Sequence, residues 1–191
     1  MTGKRRSKKP WRKADSGVFW GLLTDLVQIR ALAAAHDAEN VAFRRHLSVH
    51  HPPPHLLHDI GARVQREINC TACANCCRQT RVEVRPEEVE DIASHLQSRL
   101  PDVLHEYIED DPAEHKLLLR HAAGECVFLD ENLCMIYEAR PRPCREFPHL
   151  TLDHESLGSR LSSVCRNAWL CPIVFNTLEQ FKHELGFPRS H

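Results

Sequence analysis

The sequence predicts a small α+β domain, mostly helical, in which a short antiparallel hairpin or meander supports a multi-cysteine metal site. Three observations carry that expectation. Apolar residues recur at helical spacing along much of the chain. Two β-prone runs, Cys126-Val-Phe-Leu129 and Leu133-Cys-Met-Ile-Tyr137, flank Asp130-Glu131-Asn132 and read as a hairpin. Cysteines are concentrated: Cys70, Cys73, Cys76 and Cys77 stand close together, and Cys126, Cys134, Cys144, Cys165 and Cys171 follow.

At 191 residues the chain suits one domain with a helical extension and buries a core without staples. Hydrophobic residues at 42% and charged residues at 27% are ordinary values. A formal net charge of -1 offers no general attraction to nucleic acid or membrane. Nine cysteines are too few for a disulfide scaffold of this length, and an odd count leaves one over in any full pairing. Lys4–Lys13 is basic and Val18–Val27 is partly apolar, but Asp25 interrupts that stretch and Gln28 and Arg30 follow, which makes a poor signal peptide. No run approaches the ~20 apolar residues of a membrane span. A cytoplasmic protein with reduced thiols is expected.

Residues 1–14 carry Lys4, Arg5, Arg6, Lys8, Lys9, Arg12 and Lys13 with little to bury, so a mobile, solubilising tail is expected, capable at most of a weak contact with nucleic acid or acidic lipid. Residues 15–68 form the expected helical extension. Asp15 and Ser16 offer caps. Phe19, Leu22, Leu26, Ile29 and Ala33 make a seam that continues through Phe43 and Leu47 to Pro52-Pro53-Pro54, as one long helix or a helical hairpin. Leu57, Ile60, Val64 and Ile68 then line one stripe of a helix leading to Cys70.

Residues 69–186 are expected to be the metal-binding domain. Thr80–Arg85 alternates like a strand. Pro86, Glu87 and Glu88 suit the first turn of a helix that buries Val89, Ile92, Leu96 and Leu100 and stops at Pro101. A short helix is expected near Val103–Ile108, and Lys116–His121 fits helix or strand. The hairpin reading sets Cys126 opposite or nearly opposite Cys134, with Cβ atoms ~5 Å apart. Arg140–Pro148 reads as a proline-pinned turn. Cys171-Pro172 opens a last helix with Phe175, Leu178, Phe181 and Leu185 inward and Gly186 as its stop.

The chemistry lies in sulfur. The C-x2-C-x2-C spacing of Cys70, Cys73 and Cys76 suits three corners of a 4Fe–4S cluster, the fourth ligand arriving from elsewhere. Cys77 points away from its neighbour and is free to serve a second metal or another face. Alternatively, Cys70 and Cys73 form a zinc knuckle completed by two of Cys126, Cys134 and Cys144. Arg140, Arg142 and Arg145 are placed to offset thiolate charge near Cys144. Cys171 precedes a helix N-terminus, which favours a thiolate; Cys165 has no such support, and either of the two is the spare. His50, His51, His55 and His58 read as solvated rather than metal-bound. With seven glycines and no phosphate loop, nucleophile elbow or H-E-x-x-H, no nucleotide, hydrolase or zinc-protease site is built.

From Ile68 to Cys171 these motifs resemble the CxxCxxCC, or YkgJ-type, cysteine-cluster family of zinc- or iron-chelating domains. The segment Cys134-Met-Ile-Tyr-Glu-Ala-Arg-Pro-Arg-Pro-Cys144-Arg-Glu-Phe-Pro148 follows the pattern C-x-I-Y-x-x-R-P-x-x-C-R-x-F typical of such proteins. The family commonly has glycine before the paired cysteines, where this chain has Asn75, and about eight cysteines. The resemblance implies metal binding, with an iron–sulfur cluster or iron as cofactor and zinc as the alternative. The expected role is electron transfer, metal handling or redox-linked modification, with an unknown protein or redox partner; a non-enzymatic structural zinc module is the alternative. Flagellin lysine methylases share the cysteine cluster, but no S-adenosylmethionine site is evident here.

Overall fold

The computed structural model describes residues 21–53, 55–150 and 156–188. The basic stretch 1–14, the caps Asp15 and Ser16, and Phe19 lie outside the described residues. The chain divides into two compact units, one of Met1–Ile68 with His149–His191, the other of Asn69–Pro148. The second is thus an insertion in the sequence of the first. No helix of the described residues is long and apolar enough to cross a membrane.

The first unit is helical. Helix α1 (Leu26–Ala35) is capped by Asp25, whose carboxylate accepts the N–H groups of Val27 and Gln28 at 2.8 and 2.9 Å. Helix α2 (Asp37–Val49) begins after His36, so the apolar seam is carried by two helices. Helix α3 (His55–Glu67) buries Leu57, Ile60 and Val64, the stripe expected from their spacing. After the insertion come α8 (Leu157–Asn167) and α9 (Pro172–Glu184).

Helix α9 is the centre of this unit. Ile173, Val174, Phe175, Leu178 and Phe181 are all buried, the pattern of a helix surrounded by others rather than lying on a surface. Gly186, at φ +62°, ends it in the left-handed conformation that glycine adopts without a steric cost. Phe43 of α2 meets Phe181 and Phe187 edge-on at 5.6 and 5.0 Å between ring centres. Asn176 fixes the entry to α1, exchanging hydrogen bonds with Leu23 N–H and C=O at 2.9 and 2.7 Å. Gly61 of α3 lies against Leu150 so closely that a Cβ there would stand 2.9 Å from the leucine Cβ.

Polar groups are buried here too. The Lys182 ammonium, fully enclosed, donates to Glu39 at 2.8 Å and to Glu179 at 2.7 Å. His36 Nδ1 lies 3.3 Å from Glu179. An ammonium removed from water requires such partners, and each carboxylate in turn requires the ammonium.

The inserted unit begins with a single turn at Cys70–Ala72 and the short helix α4 (Asn75–Gln79). Strands β1 (Glu83–Val84), β2 (Ile108–Asp111) and β3 (Lys116–Leu119) form an antiparallel sheet in the order β1-β3-β2. The ambiguous stretch at Lys116 is therefore a strand, held by partners on both sides. Helix α5 (Pro86–His95) starts at Pro86 as its sequence requires. Pro101 does not terminate a helix; it sits in the first turn of α6 (Leu100–Tyr107), where its missing N–H leaves no hydrogen bond unmade. Val84, Val89, Ile92, Val103, Ile108, Leu119, Phe128 and Ile136 form the core, and Tyr107 stacks on Phe128 at 4.8 Å.

Two small hairpins follow, β4 (His121–Ala122) with β5 (Glu125–Cys126), then β6 (Leu129–Asp130) with β7 (Leu133–Cys134). The expected register is corrected. Cys126 pairs with His121 and Cys134 pairs with Leu129, so the two cysteines are not opposite each other. Helix α7 (Arg142–Glu146) carries Cys144 where a proline-pinned turn was expected.

Lys182→Met strands the buried Glu39 carboxylate without its cation. A loss of about 3–5 kcal/mol is expected for such a broken pair, measured as a lower midpoint of urea unfolding followed by circular dichroism.

Candidate metal centre

The cysteine-rich loop is shaped by local backbone bonds. Asn69 accepts the Thr71 N–H at 3.0 Å, starting the turn, and the Cys70 carbonyl accepts from Cys73 and Ala74 at 3.1 and 3.0 Å. Ala74, at φ +48°, then reverses the chain into α4. The left-handed residue is therefore Ala74, while Asn75 opens the helix and is buried. The glycine missing at position 75 is not required by the backbone there. Cys76 and Cys77, on α4, bring their Sγ atoms to 3.9 Å, so Cys77 does not point away from its neighbour as the sequence suggested.

The hairpins present two more sulfurs in the same local way. The Phe128 N–H donates to the Cys126 sulfur and the Ile136 N–H to the Cys134 sulfur, each from two residues further along. Such N–H···S bonds favour the thiolate and tune a bound metal. The following residue repeats the likeness, Val127 N–H bonding Arg120 C=O at 3.0 Å and Met135 N–H bonding Phe128 C=O at 2.9 Å. Cys126-Val-Phe and Cys134-Met-Ile are thus two copies of one turn.

All nine cysteines are thiols. Cys77, Cys126, Cys134 and Cys144 lie near enough to act on one another's ionisation. Burial, followed by the charge of the other three, pushes Cys144 up to about 12. Burial likewise pushes Cys126 up to about 11, and the Cys77 and Cys134 charges add to it. Cys134 is raised by burial and then by Cys77. Cys77 moves the other way, down to about 7, through its contact with Cys76 and the nearby Arg78 and Arg140 cations. Among the three arginines singled out in the sequence, Arg140 lowers Cys77, Cys134 and Cys144 alike. It is held over the Tyr137 ring at 3.5 Å, with its Nε donating to Tyr137 C=O at 2.7 Å. Arg142 instead pairs with Glu146 at 2.7 Å, and Arg145 donates to the Arg140 carbonyl.

Cys70 is exposed and Cys73 half-buried, on the loop that precedes α4. Cys165 and Cys171 belong to the helical unit. Burial raises Cys165 to about 11, and the charges acting on it are Lys182, Arg44, Asp37 and Glu179 of the same unit. Cys171 is buried as the N-cap of α9. His46 and His50 stack at 4.2 Å, and His58 lies 3.3 Å from Asp59. None of His50, His51, His55 and His58 enters a compact ligand group among the described residues.

The one group of three or more metal-capable side chains whose ligand atoms all lie within 4.8 Å, among the described residues, is His36, Glu39 and Glu179. Its cation is already supplied by Lys182. Among the described residues, no three thiols of the inserted unit therefore lie within that distance of one another.

Two positioning residues escaped the sequence reading. Buried Glu88 accepts the Arg85 N–H at 2.9 Å and, across the unit, the Arg142 N–H at 2.6 Å, which fastens the helix bearing Cys144 to α5. It reads locally as a first-turn glutamate, with no signal of its distant partner. Arg78 follows the paired cysteines and reads as a surface cation, yet its guanidinium is bonded on several sides.

Residues 69–171, just over half of the chain, match the family model CxxCxxCC, "Putative zinc- or iron-chelating domain". No solved structure matches the chain.

In metal-free protein at pH 7, Cys77 is about half thiolate while Cys126 and Cys144 are almost wholly protonated. Substoichiometric iodoacetamide is expected to label Cys77 before those two, as read by peptide mapping. Lowering the pH to 5 protonates Cys77 and slows its labelling roughly fiftyfold. Ala74→Gly is expected to stabilise by about 0.5 kcal/mol, the relief of left-handed strain exceeding the added unfolded-state entropy, measured by denaturant unfolding of metal-free protein.

Proposed function

The chain belongs to the CxxCxxCC family, a metal-chelating domain family, and from that premise we propose that its Asn69–Pro148 unit holds an iron–sulfur centre on Cys77, Cys126, Cys134 and Cys144. What supports this reading is that the Cys77 charge raises Cys126, Cys134 and Cys144 alike, as expected of thiols from four segments that lie near one another. The residues fit such a group. Sulfur donors suit iron–sulfur clusters, two backbone N–H groups already face sulfur, and Arg140 offsets the charge of three thiolates. No three described thiols lie within 4.8 Å of one another. A cluster suits that spacing, because its iron and sulfide atoms stand between the cysteines.

When bound, the cluster supplies one-electron chemistry or a store of iron. The protein's part is to hold the thiolates, to limit water and to balance charge. Cys70, Cys73 and Cys76 stand beside this set as ligands of a second centre or as support. Electron transfer, metal handling or a redox-linked modification of another molecule is the role we assign, in the cytoplasm.

Zinc is the second reading, favoured by the Cys76–Cys77 contact. Its 3.9 Å separation matches the ~3.8 Å between two sulfurs on one tetrahedral zinc with bonds near 2.3 Å.

Elemental analysis of protein purified without oxygen decides between them. Iron with acid-labile sulfide and broad visible absorption is expected; a colourless protein with about one zinc per four thiolates establishes the second reading instead. Cys134→Ser is expected to lower the bound metal sharply, and Cys165→Ser to leave it unchanged. Equal metal content in wild type and Cys134→Ser would remove the hairpin thiols from the centre.

A further inference from the structure

We propose that Arg78 is the positioning residue that sets the cysteine-rich loop against the hairpins carrying Cys126 and Cys134, so that the metal centre is complete only while this clamp is closed. The inference rests on the metal-centre reading above. It concerns a residue that carries no sulfur and touches no metal.

The geometry is that of a guanidinium used as a planar connector. One terminal nitrogen donates to the Cys73 carbonyl at 3.0 Å, within the loop itself. The other donates to the Glu131 carbonyl at 2.5 Å and to the Asn132 side-chain oxygen at 2.9 Å, both in the turn between β6 and β7. Nε faces the Glu125 carboxylate at 3.2 Å, beside Cys126 on β5. One side chain therefore joins three segments that each bear a thiol, and it starts from the residue after Cys77. Four of the five guanidinium N–H groups are engaged in these directions.

His121 Nε2 also meets the Thr80 carbonyl at 3.2 Å, at the end of α4, but the segments themselves are short. Cys70–Gln79 contains only a single turn and a five-residue helix, and each hairpin is paired through strands of two residues. Segments so short have small intrinsic stability. Before metal binds, the thiols also repel on ionisation, and a clamp made without sulfur opposes that repulsion. Lysine does not replace arginine here, because three donors on one nitrogen do not reach four acceptors spread around a planar fork. The Glu125 pair alone is partly exposed and weak; the two backbone carbonyls give the clamp its direction.

The test uses Co2+ as the probe, added to reduced, metal-free full-length protein without oxygen. Affinity is taken from the titration, and the sulfur-to-cobalt charge-transfer intensity per bound ion reports how many thiolates reach it. For Arg78→Met a 10- to 100-fold loss of affinity is expected, as for other groups that orient metal ligands, together with a lower intensity per bound ion. Arg78→Lys is expected to recover little of either. General destabilisation lowers occupancy but leaves the intensity of each bound ion unaltered, so that second readout is specific to positioning. Unchanged affinity and intensity in Arg78→Met overturn the proposal. Should that variant fail to fold, the pair Glu125→Gln with Asn132→Ala removes two partners and keeps Arg78; a severalfold loss is expected, and no loss overturns the proposal. Cys134→Ser is titrated alongside. If it binds Co2+ as wild type does, the metal-centre reading has failed, an outcome distinct from a clamp that proves idle.

Discussion

Gathering thiols is chemically useful only if their repulsion is contained, and the Asn69–Pro148 unit is organised around that constraint. Cys126, Cys134 and Cys144 are each raised by burial and then by the charge of neighbouring thiols. Opposing this are the Arg140 cation and the N–H groups of Phe128 and Ile136, aimed at sulfur by two turns of the same form. A metal cation bound there would supply the remaining compensation and displace the protons. The sheet, the helices α5 and α6, and the Phe128–Ile136 core provide the rigid base from which these donors are aimed.

The helices with strong periodicity were legible in the sequence. Leu57, Ile60 and Val64 face inward on α3, Val89 and Ile92 on α5, and Phe175, Leu178 and Phe181 on α9, as their spacing required. The cysteine motifs were equally plain. The hairpin register was not, because His121–Ala122 is too short to show alternation and it captures Cys126 as its own partner. Pro101 misled because a proline marks a helix start as readily as an end. Arg78, Glu88 and Lys182 were invisible in a different sense. Each looks like a solvated charge along its own segment, and its importance lies entirely in partners far away in the sequence.

The two units use opposite solutions to the same electrostatic difficulty. In the helical unit the buried carboxylates of Glu39 and Glu179 share a cation that the chain itself provides, Lys182. Such a centre is complete as soon as the helices pack. In the inserted unit the donors are sulfur, and the flanking arginines counter only part of the charge the thiolates would carry. Soft donors with incomplete neutralisation suit a metal better than another ammonium.

The placement of the thiol-bearing segment within the helical unit's sequence links the two thermodynamically. Helix α3 ends at Glu67, and its packing partner α9 begins only at Pro172, so the helical unit must close a long excursion of chain to form. The entropy of that closure depends on how freely the intervening chain wanders. An ion that ties its sulfurs together shortens the effective excursion, and so favours helix pairing through chain statistics alone. Bound metal would then add a modest bias toward the pairing of α3 with α9, about 0.6 kcal/mol for each halving of the effective excursion.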